Sequence, residues 1–366
     1  MTNPSDVGLL RSMLEIRSES GRESRLAHHL AGVLRDRGFD SRLDEAGNVI
    51  GVLDRGPGPT VLLLGHLDTV PGGPPVREAD GRLYGRGAVD AKGPLAAMIC
   101  AAARSRGPGR IVLAGVVEEE TPASRGATHL REHLERPDAM IVGEPSGWST
   151  VVIGYKGRVD LRYRVRREAA HSTSPEPKAV ELASLAWRRL AAAAGGELSH
   201  REFRLPGATL LSLRGDPCTA EAHFDIRTPP GFDVAAMLRR LRREVPHGRF
   251  ELLHAVPACR VGRSDPVVRA LSAAVGEQGA RPTATLKTAT SDMNTMAQVW
   301  DVPMATYGPG DGHLDHGDDE HLPLDDYGRS IAVLSTALAT LSRRLEPDRG
   351  RHSATTAKGD SHAKHG

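Results

Sequence analysis

A chain of 366 residues is long for one hydrophobic core and comfortable for two, so two domains are expected. Its 48 Lys+Arg against 46 Asp+Glu give a formal charge of +2, which argues against nucleic acid as a partner, although arginines cluster locally in LRRLRREVPHGR. Cys100, Cys218 and Cys259 show no CxxC spacing and fit a reducing cytoplasm without a thiolate metal site, while no export leader and no apolar run near the ~18 residues of a membrane span is present.

In residues 1–155 the apolar runs NVIGVL, TVLLLG, RIVLAGVV and DAMIVG read as buried strands. They alternate with the helical patterns GPLAAMICAAARS and SRGATHLREHL, which predicts the first part of an α/β catalytic domain. The HLREH inside the second helix matches the spacing H-x-x-E-H, but it lies on an ordinary amphipathic helix and reads as solvated surface. From 156 to 262 the texture changes. Val159, Leu161, Tyr163 and Val165 alternate with Asp160, Arg162, Arg164 and Arg166, the period-two mark of a sheet with one face in water. A helix (AVELASLAWRRLAAA), two strands (TLLSLR, AEAHFDIR), a second helix (VAAMLRRLRREV) and a last strand (FELLHAVPA) follow. This βαββαβ order suggests an inserted ferredoxin-like domain. Residues 263–345 return to α/β texture with the helix PVVRALSAAVGE, the strand VPMATYG and a closing helix from Asp325 to Leu345. Residues 346–366 are polar and aperiodic, so a disordered tail is expected there, and its His352, His362 and His365 are not read as ligands.

The run IVLAGVVEEET ends a buried strand in three consecutive carboxylates, Glu118, Glu119 and Glu120. Adjacent anions repel, and the carboxyl ends of strands in α/β folds open onto the ligand crevice, so a positive ligand is expected there. Other strand ends supply counterparts: His66 and Asp68 in VLLLGHLDTV, Asp90 in YGRGAVDAKG, Glu144 in MIVGEPS and His316 in YGPGDGHLDHGDDE. Each alone is an ordinary polar loop residue. Together they are imidazoles and carboxylates without a thiolate, the donor set that a pair of zinc-like ions takes.

The set GHLDTVP, GRGAVDAKG, EEE followed by Gly126, VGEPS and LDHGDDE resembles the M20 family of di-zinc peptidases and deacylases, over nearly the whole chain up to the tail. The resemblance implies a zinc-peptidase-like catalytic domain carrying an inserted dimerisation or lid domain, and a homodimer. It also implies two zinc ions, replaceable by cobalt. His66 and Glu144 then resemble the terminal ligands of one zinc, Glu120 and His316 those of the other, and Asp90 the bridge, with a cis peptide after it. Asp68 would accept the ring N–H of His66. Glu119 matches the general base acting on a bridging water, and Glu118 a structural support. AAHSTSP resembles the segment whose histidine crosses a dimer interface, with Ala170 where a glycine is usual, making His171 a donor to the oxyanion of the partner's site. Arg227 in FDIRTPP matches an arginine that takes a substrate carboxylate.

A narrower resemblance covers VVEEETPASRGA, VIGYKGR, KTATSDMN and YGPGDGHLDH, which are similar to the LysW-lysine and LysW-ornithine hydrolases. Ala289 stands where that group is expected to carry glycine. The resemblance implies release of lysine, ornithine or a related diamino acid from the C-terminal glutamate of a small acidic amino-group carrier protein, which the arginine clusters would suit. Lys156, Lys287, Thr290, Ser291 and Asp292 are candidate contacts to substrate or carrier. A small-molecule deacylase or a dipeptidase is the alternative activity. A metal-free binding protein on the same fold is the alternative class.

Overall fold

The computed structural model describes residues 3–345; the tail expected over 346–366 lies outside the described residues. The central sheet has nine strands. Its order runs Asp40–Leu43, Val49–Asp54, Arg110–Val116, Thr60–His66, Ala139–Val142, Met304–Thr306, Thr150–Tyr155 and Cys259–Arg260, and Thr283–Lys287 also pairs with Thr150–Tyr155. In the middle, Thr60–His66 runs parallel to both neighbours, with Leu63 opposite Leu113 on one side and Ile141 on the other.

The strands in the middle of the sheet are apolar because helices cover both faces. Val61, Leu63, Ile111, Leu113 and Ile141 point into one core. That core is closed by the helices Pro4–Glu15, Ser24–Asp36, Lys92–Arg104, Pro266–Glu277 and Leu324–Arg344. Their alternates Leu62, Leu64, Val112, Ala114 and Met140 meet the helices Arg125–His133 and Asp292–Ala297 on the other face. Short polar residues set the helix starts: Asn3 before Pro4 and Asp265 before Pro266 each accept a backbone N–H of the first turn.

The second sheet is antiparallel and follows the predicted βαββαβ order, with strands arranged Gly207–Gly215, Thr219–Thr228, Gly157–Arg166, Gly248–Val256. Val159, Leu161, Tyr163 and Val165 face its own core with Phe224, Ile226 and the helices Ala179–Ala193 and Val234–Glu244. On the other face charges pair across strands: Arg162 to Glu251 at 2.8 Å, and Arg164 to Glu221. The alternation read at 159–166 is thus a division between core and paired charge.

Candidate active site

Three parallel neighbours of the central sheet end side by side, which brings residues distant in sequence to one crevice. His66 is the last residue of its strand, Glu119 and Glu120 follow Arg110–Val116, and Glu144 follows Ala139–Val142. Asp90 enters from the turn before the buried helix Lys92–Arg104, and the Asp90–Ala91 peptide is cis. The close approach of the helix start to that turn requires glycine: a Cβ on Gly93 would lie 2.2 Å from the Ala88 carbonyl oxygen. Gly126 is equally constrained, since its Cβ would meet the Asn48 side chain at 2.4 Å and the Val117 backbone at 2.5 Å.

The donor atoms form two groups that share Asp90. His66, Asp90 and Glu144 make one, and Asp90, Glu120 and His316 the other, the donors of each group lying within 4.8 Å of one another. Asp90 Oδ1 is 3.1 Å from His66 Nε2 and its Oδ2 is 3.2 Å from His316 Nε2. His316 Nε2 is also 3.0 Å from Glu120 Oε1, and His66 Nε2 is 3.8 Å from Glu144 Oε1. Two ligands about 2.0–2.1 Å from one tetrahedral ion lie roughly 3.3 Å apart, so the spacings fit a cation within each group. The His66 ring supports this. Its Nδ1–H donates to the Asp68 carbonyl at 2.9 Å, which leaves Nε2 as the lone-pair donor facing two carboxylates.

That bond also differs from the sequence expectation for Asp68, whose carboxylate was to accept the ring N–H. The carboxylate keeps a longer contact to Nδ1 at 3.5 Å, and its shorter bonds go elsewhere. It accepts the backbone N–H groups of Glu119 at 2.9 Å and Glu120 at 3.0 Å, and the Ser20 hydroxyl at 2.8 Å. Asp68 therefore orients the glutamate run directly. Glu23 accepts the N–H of Glu118, whose carboxylate pairs with Arg125 at 2.8 Å. Glu118, Ser124 and His316 all have positive φ, at 57°, 44° and 60°, so the loops around the donors hold strained backbone.

Burial, then Asp90, pushes the Glu144 pKa up to about 8. Burial with Glu144 and Asp292 raises Glu119 well above the usual carboxylate range. His316 is raised to about 10 by its bonds to Asp90 and Glu120. Burial opposes charge on Asp90, yet the bonds from His316 and His66 hold it well below the ordinary value. A bound cation would supply positive charge to these groups, reversing the upward shifts of Glu144, Glu119 and His316 and reinforcing the downward shift of Asp90.

One cavity of about 200 Å³ adjoins the donors and is lined by Asp90, Glu119, Glu120, Glu144 and His316. Arg227, Lys287, Thr290 and Ser291 line it too. Lys287 Nζ donates to the Pro145 carbonyl at 2.5 Å, and Ser291 caps the helix Asp292–Ala297. The other candidates fall outside the lining. Lys156 is buried, its ammonium turned to the Ser199 carbonyl at 2.9 Å in the connection between the helix Ala179–Ala193 and the strand Gly207–Gly215. Asp292 is buried beneath the site and accepts the Ser124 hydroxyl. His171 is exposed, with Nδ1 2.7 Å from the Thr173 hydroxyl, and does not reach the cavity of its own chain. His129 and His133 stack on each other at 4.0 Å and belong to neither donor group.

Sequence reading missed Arg158, Asp225 and Glu320. Arg158 sits directly opposite Arg227 in the strand register, and both line the cavity. Asp225 holds the two together, with its oxygens 3.0 Å from Arg158 Nε and 3.1 Å from Arg227 Nε. Glu320, fully buried, accepts the N–H groups of Gly87, Val89 and Asp90 and pairs with Arg86 at 2.6 Å, which fixes the Asp90 turn. The run HGDDE held the signal for Glu320, but nothing local distinguishes it from its acidic neighbours.

An α/β layer that gathers two histidine–carboxylate groups around one shared aspartate is the framework of a metallohydrolase. The chain belongs to peptidase family M20/M25/M40, whose model matches residues 62–340. It is 40% identical over 355 residues to the LysW-lysine hydrolase of Deinococcus radiodurans, covering 91% of this chain and 96% of that one. In fold it is similar to a tripeptidase from Staphylococcus aureus, with TM-score 0.79 at 20% identity over 94% of this chain and 100% of that one. It is also similar to a dinuclear metal-binding M20 peptidase from Bacillus subtilis, with TM-score 0.70 at 13% identity over 93% and 98%. The α/β class and the hydrolase assignment are thereby borne out. No helix among the described residues is long and apolar enough to cross a membrane.

Proposed function

We propose that this hydrolase releases lysine, ornithine or a related diamino acid from the C-terminal glutamate of an acidic amino-group carrier protein. The observation that carries the chemistry is Asp90, whose two oxygens each face a different histidine. The 40% identical relative named a LysW-lysine hydrolase, matched along 96% of its length, supports the substrate class. His66, Asp90 and Glu144 would hold one ion and Asp90, Glu120 and His316 the other, zinc being the metal that suits this donor set, with cobalt as a substitute. When bound, such a pair supplies a Lewis acid and acidified water.

The remaining work falls to side chains. Glu119, on the cavity wall beside both donor groups, takes the proton of the attacking water and passes it to the leaving nitrogen. Arg227 and Arg158, two cations sharing one carboxylate, retain capacity for a substrate carboxylate. His171 would serve as oxyanion donor in the site of a second chain, with the antiparallel sheet and its helices as the pairing unit; its exposure and distance from its own cavity fit that role. Turnover of carrier-linked lysine and ornithine against the matching Nα-acetyl amino acids tests the reading. A preference for the carrier-linked substrates is expected, and equal or faster cleavage of the acetyl compounds would place the enzyme among small-molecule deacylases.

A further inference from the structure

The cavity carries two carboxylates that the metal groups do not use, the proton carrier Glu119 and Asp315. Asp315 lines it, half-buried, yet belongs to neither donor group. Among the described residues its side chain has no hydrogen bond and no ion pair, although almost every other acidic group around the site is committed. Asp68 holds backbone N–H groups, Asp225 two arginines, Glu118 Arg125 and Glu320 the Asp90 turn. Lys287 lines the same cavity but does not come within ion-pair distance of Asp315, its ammonium being held on the Pro145 carbonyl. A carboxylate left half-desolvated without a partner is costly unless a ligand supplies one.

The same cavity receives Arg158 and Arg227 from the antiparallel sheet. The space beside the scissile position is therefore bipolar, with spare positive charge contributed by one sheet and spare negative charge by the loop before His316. A diamino acid acylated on one nitrogen has matching chemistry, since it keeps a carboxylate and one free ammonium. We infer that Asp315 receives the free ammonium of the released diamino acid and selects diamino over monoamino acids at this site. This deepens the proposed function and rests on it.

The test compares lysine with norleucine, which has the same carbon chain without the distal amine, each linked through its α-amine to the carrier glutamate. Wild-type kcat/KM is expected to favour lysine by roughly 10- to 100-fold, the range of one charge-assisted hydrogen bond. In D315N the lysine-to-norleucine ratio is expected to fall to within a few-fold of one. The ratio cancels any general damage to folding or metal loading, because both substrates meet the same protein. Wild type indifferent to the distal amine, or a D315N variant that keeps the wild-type ratio or loses both substrates in equal measure, overturns the assignment and leaves the carrier reading intact. If wild type cleaves neither carrier conjugate but hydrolyses acetyl amino acids, the carrier reading fails instead. Asp315 is then judged on the same ratio with Nα-acetyllysine and Nα-acetylnorleucine.

Discussion

In the central sheet the strands Thr60–His66, Arg110–Val116 and Ala139–Val142 are buried on both faces, and charge collects just beyond their ends. In the antiparallel sheet charge is spread along the strands and cancelled across them, Arg162 with Glu251 and Arg164 with Glu221. The central sheet gathers like charges at its strand ends. Among the described residues Arg125 pairs with Glu118 there, but Glu119, Glu120 and Glu144 have no arginine or lysine ion pair, whereas the antiparallel sheet supplies partners for Arg162 and Arg164. Like charges also face each other in the antiparallel sheet, Arg249 opposite Arg164, Asp160 opposite Asp225 and Arg158 opposite Arg227; the last pair, which shares Asp225, lies where that sheet reaches the cavity. Like charges directly opposite destabilise a sheet.

Metal removal is the most severe way to break this contrast. Exhaustive chelation is expected to abolish hydrolysis, and zinc or cobalt to restore it, as read by activity alongside metal analysis; full activity in metal-free protein would refute the two-ion reading. Glu119→Gln comes next, since it removes the proton carrier and leaves both donor groups whole. Bound metal is expected to persist while kcat falls on the order of 10²–10⁴-fold.

His171→Ala asks whether the antiparallel sheet serves a second chain's site. An oxyanion donor is worth about 2.7–4 kcal/mol, so a loss on the order of 10²–10³-fold is expected with metal content and dimerisation unchanged. Mixing His171→Ala with Glu119→Gln chains is expected to restore roughly a quarter of wild-type sites, because half the dimers are mixed and each has one intact site. Absence of recovery under demonstrated subunit exchange would show that His171 does not act across the dimer.

The smallest effects sharpen the comparison inside one sheet. Asp225→Asn leaves two opposed arginines with no anion between them. A raised KM and a stability loss of about 1–3 kcal/mol are expected in denaturant titration. Glu251→Gln, at a pair remote from the cavity, is expected to leave turnover unchanged and the unfolding midpoint little moved. Equal consequences for the two variants would dissolve the distinction between ligand-directed and self-neutralised charge.

Much of the catalytic layer was legible because its strands are short apolar runs that end abruptly in polar residues. TVLLLG and RIVLAGVV announce buried strands, and the donors follow them within a few positions. The helices Pro4–Glu15 and Ser24–Asp36 escaped notice although Asn3 and Pro4 mark a start, because their mixed polar composition gives no strong apolar run. Their connecting loop mattered to the site: Ser20 and Glu23 support Asp68 and Glu118 from it. The strand Thr283–Lys287 was likewise missed, being only half-buried and pairing with one neighbour.

What the sequence determined by itself was residue chemistry at strand ends and the alternation of core and solvent faces, since both are set by neighbours within a few residues. Tertiary structure decided which residues share an atom's surroundings. Lys156 and Lys287 look alike as loop lysines, yet one is buried against the Ser199 carbonyl and the other lines the cavity. Arg158 became a partner of Arg227 only through strand register, and Glu320 a clamp on Asp90 only because the chain folds back over a separation of 230 positions. Such pairings depend on the closing of long loops around a common core, and no local pattern of side chains encodes where those loops meet.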